Sequence, residues 1–176
     1  MSNVLIGIIG VILFIGLALA GALILGDDFK SANAASKAAA VSSMMQQVAN
    51  AATMYQTKRG VTLLADGTDS ALNTLLAAKS IRSAPVNPTN PGARMSGADA
   101  VGGQNGGPIR MFFWDLGDSK NARDVCMSIE ETSGNGDAAS VVDVSTLFDI
   151  RAVKAARQGC MMDKYYADHY VAYILI

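Results

Sequence analysis

The stretch VLIGIIGVILFIGLALAGALIL occupies residues 4–25 and contains no charged and no strongly polar side chain. About 20 consecutive apolar residues are enough for a helix to cross the ~30 Å hydrocarbon core of a bilayer. We therefore predict a transmembrane or similarly buried apolar helix at the start of the chain. A cleaved signal peptide is disfavoured, because such peptides have a basic start and a shorter apolar core, whereas the first cation here is Lys30.

Small residues recur within this run at helical spacing. Gly16 and Ala20 are four residues apart, as are Ala18 and Ala22. Such residues let neighbouring helices approach closely in an apolar environment. Two interpretations stay open: a single anchor in which glycine is tolerated, and a helix that packs against copies of itself. The predicted packing residues of the run are Gly7, Gly10, Gly16, Ala20 and Gly21.

The apolar run passes without a break into an amphipathic segment, residues 27–59. Apolar residues recur there at alternating steps of four and three, which is typical of a helix with one buried seam. Lys58 and Arg59 suit the last helical turn, and Gly60 suits the position beyond it. We predict one helix from about residue 3 to Arg59, with the later part of its seam on a sheet of the same domain. The seam comprises Ala34, Ala38, Val41, Met45, Val48, Ala52 and Tyr55.

The rest of the chain, residues 60–176, is long enough for one small domain with a modest core. Three prolines and a glycine-rich stretch predict a long loop between residues 85 and 107. Residues 170–176 are apolar on both faces, which favours a central strand covered by a helix. The other predicted elements are helices at 71–79, from Ser119 to about Glu131 and at 147–157, and strands at 109–116 and 141–144.

These features predict an α+β fold in which a long N-terminal helix packs on a small antiparallel sheet. The expected organisation has three parts: an apolar half of the helix at 1–26, an amphipathic half at 27–59, and a globular head at 60–176. The 176 residues have a net charge of −1, and the basic residues are scattered. Nucleic-acid binding is therefore not indicated.

The sequence does not indicate an enzyme, and we expect no cofactor and no metal. His169 is the only histidine, and no nucleophile is signalled near it. We expect it to be exposed at the start of the last strand. Acidic residues do not form a calcium-binding loop, so we interpret Asp66, Asp69 and Asp163 as solvated loop residues. Trp114 and its aromatic neighbours are predicted to be core.

The order of these features resembles that of the type IV pilins, specifically the type IVb class. The heptad-patterned stretch KAAAVSSMMQQVANAATMY lies at 37–55. SALNTLLAAKSI at 70–81 is similar to the short helix between the long helix and the sheet. NARDVCMSI at 121–129 is similar to the helix with the first cysteine, and HYVAYILI at 169–176 to the terminal strand. The resemblance covers nearly the whole chain and depends on the order and spacing of its parts.

The chain departs from that family at its start. The family usually has a Glu a few residues into the mature helix, whose carboxylate is thought to neutralise the terminal amine of a neighbouring subunit. Here no acidic residue precedes Asp27, and residues 1–26 do not show the family's processing leader with its glycine site. Three interpretations stay open: Met1 is the first residue left after removal of a leader, no leader exists, or cleavage after Gly7 or Gly10 leaves an equally uncharged start. Minor pilins and some conjugation-associated pilins also lack the acid.

Cys126 and Cys160 are the only cysteines and enclose residues 127–159. The resemblance to the pilins implies that Cys160 closes a C-terminal region bounded by a disulfide. A head domain outside the membrane would lie in an oxidising compartment, where such a bond persists. The bond would raise the free energy of unfolding by roughly 3–4 kcal/mol. Unpaired thiols in a cytosolic protein are the alternative, and the spacing argues against a metal pair.

The resemblance implies a structural subunit that polymerises through its N-terminal helix into a surface filament. It implies residence in the bacterial inner membrane before assembly and in an extracellular pilus afterwards. The implied partners are copies of itself, the inner-membrane assembly machinery and a leader peptidase, with a host cell, recipient cell or phage at the filament surface. Adhesion, aggregation and mating contact are not distinguished. The alternatives are a minor pilin or pseudopilin that primes assembly or secretion, and a single-span membrane-anchored binding domain.

Overall fold

The computed structural model describes residues 2–65, 70–98, 107–108, 110–134, 142–144, 157–163 and 168–176. Side chains are described for these ranges except at 2–6, 22–28, 64–65, 70, 107–108 and 142–144. The expectations for Met1, Asp66 and Asp69, and for the helix at 147–157 except its last residue Arg157, therefore lie outside the described residues. The chain divides into two compact units, Met1–Asn33 and Ala34–Ile176, and each is considered by itself.

Helix α1 extends over Ser2–Arg59 without interruption, so the predicted long helix is confirmed. It ends at Gly60, whose φ of 64° is left-handed and whose amide donates to the Gln56 carbonyl oxygen over 2.9 Å. Glycine adopts this conformation without the steric cost that a Cβ would add. The first unit consists of the beginning of α1, and the second unit contains the remainder of α1 together with the head.

The second unit has three helices and two sheets in its described part. After α1, the elements in chain order are β1 (Leu64–Ala65), α2 (Ser70–Ala77), β2 (Ser96–Ala98), β3 (Gly107–Pro108), β4 (Met111–Gly117), α3 (Lys120–Ser133), β5 (Val142–Val144), β6 (Gln158–Asp163) and β7 (His169–Leu175). Strands β1 and β3 form a two-stranded antiparallel pair. The α+β class is therefore confirmed.

The main sheet has the strand order β2-β4-β7-β6-β5. Strands β2, β4, β7 and β6 pair antiparallel, whereas β5 joins the edge parallel to β6. The last strand β7 lies between β4 and β6, with Trp114 opposite Ala172 on one side and Cys160 opposite Ala172 on the other. The prediction of a central terminal strand is confirmed.

Local capping explains where α2 and α3 begin or end. Ser119 precedes α3 in extended conformation, and its side-chain oxygen accepts from the Ala122 amide over 3.1 Å, as an N-cap residue does. Gly134 ends α3 with a φ of 74°. Helix α2 ends with Lys79 at a φ of 55°, where the Ser80 amide donates to Leu75 and the Lys79 amide to Leu76. This is the Schellman pattern, with lysine where glycine is usual.

The sheet has one buried cluster on each face. One contains the α1 seam, α2 and α3 together with Phe112, Trp114 and Ile174. The other contains Ala98, Met111, Met161, Val171 and Tyr173. Adjacent residues of β4 and β7 enter different clusters because successive side chains of a strand point to opposite faces.

Two strands of the sheet were not predicted. Strand β2 lies within the glycine-rich stretch that we interpreted as loop, and β6 includes the second cysteine. The interpretation of Asp163 as a solvated loop residue is wrong, because Asp163 is the last residue of β6 and is fully buried. Both strands are defined by pairing with β4 or β7, which a local pattern does not reveal.

Candidate assembly surface

Residues 7–21 of α1 form an apolar surface that is exposed around the whole helix. Every residue from Gly7 to Ala20 is exposed, and Gly21 is half-exposed. Phe14 exposes 75% of its surface and Leu17 79%. We call these residues the N-terminal apolar surface. Contiguous apolar exposure of this kind marks contact with another protein or with lipid.

In the described part of the chain, no other residue packs against the glycines of this surface. A Cβ built on Gly7, Gly10, Gly16 or Gly21 meets no atom within 4 Å. Each of these glycines makes the helix about 1 kcal/mol less stable than alanine would. The fold of the single chain therefore gives no reason for glycine at these positions.

The hydropathy of the helices was compared with that of membrane spans. Among the described residues, none of the helices contains a stretch with the length and apolarity that a bilayer-crossing segment requires.

The seam of α1 lies in the core of the second unit. Ala38, Val41, Met45 and Ala52 are at most 1% exposed, and Ala34 and Val48 are also buried. Tyr55 is half-buried, with the Arg59 guanidinium 5.4 Å from its ring centroid. The predicted packing residues thus separate into two groups. Those before residue 22 are accessible to a partner, whereas those from Ala34 onward are used by the chain's own core.

A disulfide joins Cys126 of α3 to Cys160 of β6, with their Cα atoms 5.3 Å apart. This confirms the predicted bond. Both residues are buried, at 0% and 2% exposure, and they belong to the cluster that contains the α1 seam. The bond therefore fixes α3 to the sheet at the centre of the core.

A buried carboxylate makes a second connection between α3 and β6. Glu130 is 6% exposed, and its Oε1 accepts a hydrogen bond from the Cys160 amide. A Cβ built on Gly159 would lie 2.5 Å from Glu130 Oε1 and 2.7 Å from Tyr173 Cζ. Real side chains do not make contacts that short, so glycine at this position lets Glu130 and Tyr173 approach the strand. The sequence analysis identified neither Glu130 nor Gly159.

His169 differs from its predicted exposed state. It begins β7 as expected, but its side chain is 33% exposed and its Nδ1 lies 3.0 Å from both carboxylate oxygens of Asp115. Asp115 Oδ1 also accepts from the Gly117 amide over 2.7 Å. The pair joins the adjacent ends of β4 and β7. In the described part of the chain, no group of acidic, histidine or cysteine side chains is placed to hold a metal ion.

The loop after α2 is ordered by one buried amide. Asn87 is fully buried, and its Nδ2 donates to the Asp115 carbonyl oxygen over 2.8 Å. Its Oδ1 accepts from the amides of Thr89 and Asn90. This is the local turn that asparagine favours. The NPTN sequence signals a turn, but it does not signal the contact with β4.

Comparison of the chain with protein-family models, curated proteins and solved structures found no match.

Proposed function

We propose that this protein is a structural subunit that polymerises through α1 into a surface filament of the type IVb pilus kind. The observation that carries the proposal is the N-terminal apolar surface. It belongs to the same helix whose later part, from Ala34 onward, forms the core of the second unit. A helix with these two parts joins a stable head to an element that needs partners.

Burial of the exposed side chains provides the driving force. Fully burying one leucine or phenylalanine side chain contributes about 1.5–3 kcal/mol of favourable free energy. Leu13, Phe14 and Leu17 are all more than half exposed in the single chain. Neighbouring copies can bury them simultaneously because the surface extends around the helix. Before assembly the same residues would lie in the inner membrane, and the filament would then be extracellular.

The glycines favour self-packing over a lone anchor. A single helix in lipid does not require glycine, whereas closely packed helices need small residues at their contacts. A Cβ built on Gly7, Gly10 or Gly16 meets no described atom within 4 Å, so an intermolecular contact would give these glycines a role. The head would form the filament surface, and the disulfide would hold it together under pulling force. The proposed role is structural, without catalysis.

The test compares substitutions at Gly16 in cells that express the full chain. Gly16→Leu should reduce filaments strongly, because the added side chain separates the packed helices, while the subunit still reaches the membrane fraction. Gly16→Ala should have a much smaller effect. Ile12→Leu, on the same exposed surface, is the matched control for altered side-chain shape. Negative-stain electron microscopy and mass spectrometry of sheared filaments provide the measurements.

Normal filaments from the Gly16→Leu chain would contradict close packing at this position. If the wild-type chain remained in the membrane and never entered filaments, the single-span interpretation would replace the filament proposal.

A minor pilin or pseudopilin is the second candidate. It is favoured by the lack of an acidic residue before Asp27, since minor subunits are among the pilins that lack the early acid. The stoichiometry of this chain in purified filaments separates the candidates. A chain that makes up most of the filament mass is a major subunit, whereas a few copies per filament indicate a priming subunit.

A further inference from the structure

The second unit contains a polar groove of about 540 Å³ that the filament proposal does not use. Helix α1 forms one wall with Ser42, Gln46 and Asn50, and the opposite wall comes from the end of α3 and the start of β6. Its volume lies within the range of small-molecule sites, roughly 300–1,000 Å³. Most of the residues that line it belong to helices or strands, which fixes their backbone positions.

Amide and hydroxyl groups dominate this groove. Gln46 Nε2 donates to Gln158 Oε1 over 2.8 Å, which fixes both amides across the groove. The bond leaves the Gln46 carbonyl oxygen as an acceptor towards a ligand. Asn50 adds a second amide from the same face of α1, and Thr132 adds a hydroxyl from α3. Such groups donate and accept, as sugar hydroxyls also do.

Ser42 presents a hydroxyl that the fold does not use. Its Oγ is buried at the wall of the groove and has no hydrogen-bond partner among the described residues. An unsatisfied buried hydroxyl destabilises a protein by about 1–3 kcal/mol. Rotation about χ1 can turn this hydroxyl towards a ligand without breaking an existing bond.

Arg157 is the one charged residue among the described residues that line the groove. Its Nε donates to the Leu175 carbonyl oxygen over 3.3 Å, which orients the guanidinium group. The two terminal nitrogens then remain for a planar, bidentate anion such as a carboxylate. A carboxylic acid with several hydroxyl groups matches both kinds of donor.

We propose that this groove binds an acidic sugar, with Arg157 on the carboxylate and with Gln46, Asn50 and Ser42 on the hydroxyl groups. Ala39 and Ile174 also line the groove and provide an apolar patch for the carbon face of the ring. The proposal does not depend on polymerisation, because every group that it names lies within Ala34–Ile176.

The experiment measures binding of glucuronate, glucose and acetate to the full chain in detergent micelles by saturation-transfer NMR. Glucuronate should bind with a dissociation constant in the millimolar range, about −4 kcal/mol. Glucose and acetate should each bind at least about tenfold more weakly, because each lacks one of the two recognised groups. Acetate binding as tightly as glucuronate would overturn the sugar assignment, and so would a lack of glucuronate binding.

Two variants locate the site. Arg157→Gln should reduce the affinity for glucuronate about tenfold and leave the affinity for glucose unchanged. Asn50→Ala should weaken the binding of both glucuronate and glucose. Because Asn50 is exposed on α1, this variant still tests the site if Arg157→Gln does not fold. Arg82→Gln is the matched control, since Arg82 is exposed outside the groove. An equal loss in Arg82→Gln and Arg157→Gln would show general charge attraction and contradict the proposed site.

Discussion

The two parts of helix α1 use apolar residues in opposite ways. Over residues 7–21, the helix is apolar on all sides, exposed, and contains glycines with no described atom packed against them. From Ala34 onward, only a narrow seam is apolar, and the head buries it. Helix α1 is continuous, yet its two parts differ in what their apolar residues contact. One part of α1 contributes to the core of the chain's own fold, and the other exposes its apolar side chains.

The largest expected effect distinguishes an aromatic residue of the core that buries the α1 seam from an aromatic residue of the N-terminal apolar surface. Trp114→Ala should lower the free energy of unfolding of the head by about 3–5 kcal/mol, because the side chain is fully buried and its Nε1 donates to the Ala93 carbonyl oxygen. Phe14→Ala should leave head unfolding unchanged, since Phe14 is exposed. Urea unfolding followed by far-ultraviolet circular dichroism measures both. Similar losses in the two variants would remove the distinction between the parts.

Loss of the disulfide should have the next largest effect, and only on the head. Replacing Cys126 and Cys160 by serine should lower the free energy of unfolding by about 3–4 kcal/mol, because the bond restricts the unfolded chain. Protease resistance and the steady-state amount of subunit should fall with it. Wild-type protein treated with a reductant serves as the control and should shift by a similar amount. Unchanged protease resistance in the double variant would contradict a stabilising bond.

Glycine-to-alanine changes should have opposite effects on stability in the sheet of the head and in the N-terminal part of α1. Gly159→Ala should destabilise the head by about 1–3 kcal/mol, because the new methyl group would collide with Glu130 and Tyr173. Gly10→Ala should make α1 more stable by up to about 1 kcal/mol, since nothing lies near that position. Thermal unfolding of both variants in the same detergent is the measurement. A tolerated Gly159→Ala would mean that the strand can move away from Glu130.

The smallest effect concerns the helix ends of the second unit. Lys79→Gly should raise the free energy of unfolding by about 1 kcal/mol or less. The backbone of Lys79, just after α2, is in the left-handed conformation, which glycine adopts without a Cβ penalty. Lys58→Gly is the matched control and should destabilise by a similar amount, because Lys58 is in the last turn of α1. If both changes had the same sign, backbone conformation would not be the cause.

Features that depend on short stretches were predictable from the sequence. The seam from Ala34 to Tyr55 follows from helical spacing alone, and Ser119 and Gly60 mark helix ends through their own chemistry. The terminal strand was recognisable because its residues are apolar on both faces. The expected bond between Cys126 and Cys160 is also present.

Features that depend on distant partners were not predictable. Strand β6 has the sequence QGCMMD, which shows no clean alternation, and it exists because β7 pairs with it. Asp115 and His169 are 54 positions apart, and each alone is typical of a surface residue. Glu130 has the same character, although it contacts a strand amide within the core. In each case the fold, rather than the local sequence, determines the environment.

The position of β7 has a consequence for synthesis of the chain. The strand between β4 and β6 is made of residues 169–175, so a growing polypeptide lacks the central ladder of its sheet until nearly all of those residues have left the ribosome. The sheet of the head is therefore completed only after β7 has been synthesised, because β4 and β6 pair with β7 rather than with each other. Both cysteines are synthesised before the strand that aligns α3 with the sheet. Oxidation that precedes alignment would close the covalent loop on an unfinished sheet, and a pulse-chase measurement would show whether the thiols stay reduced until the chain is released.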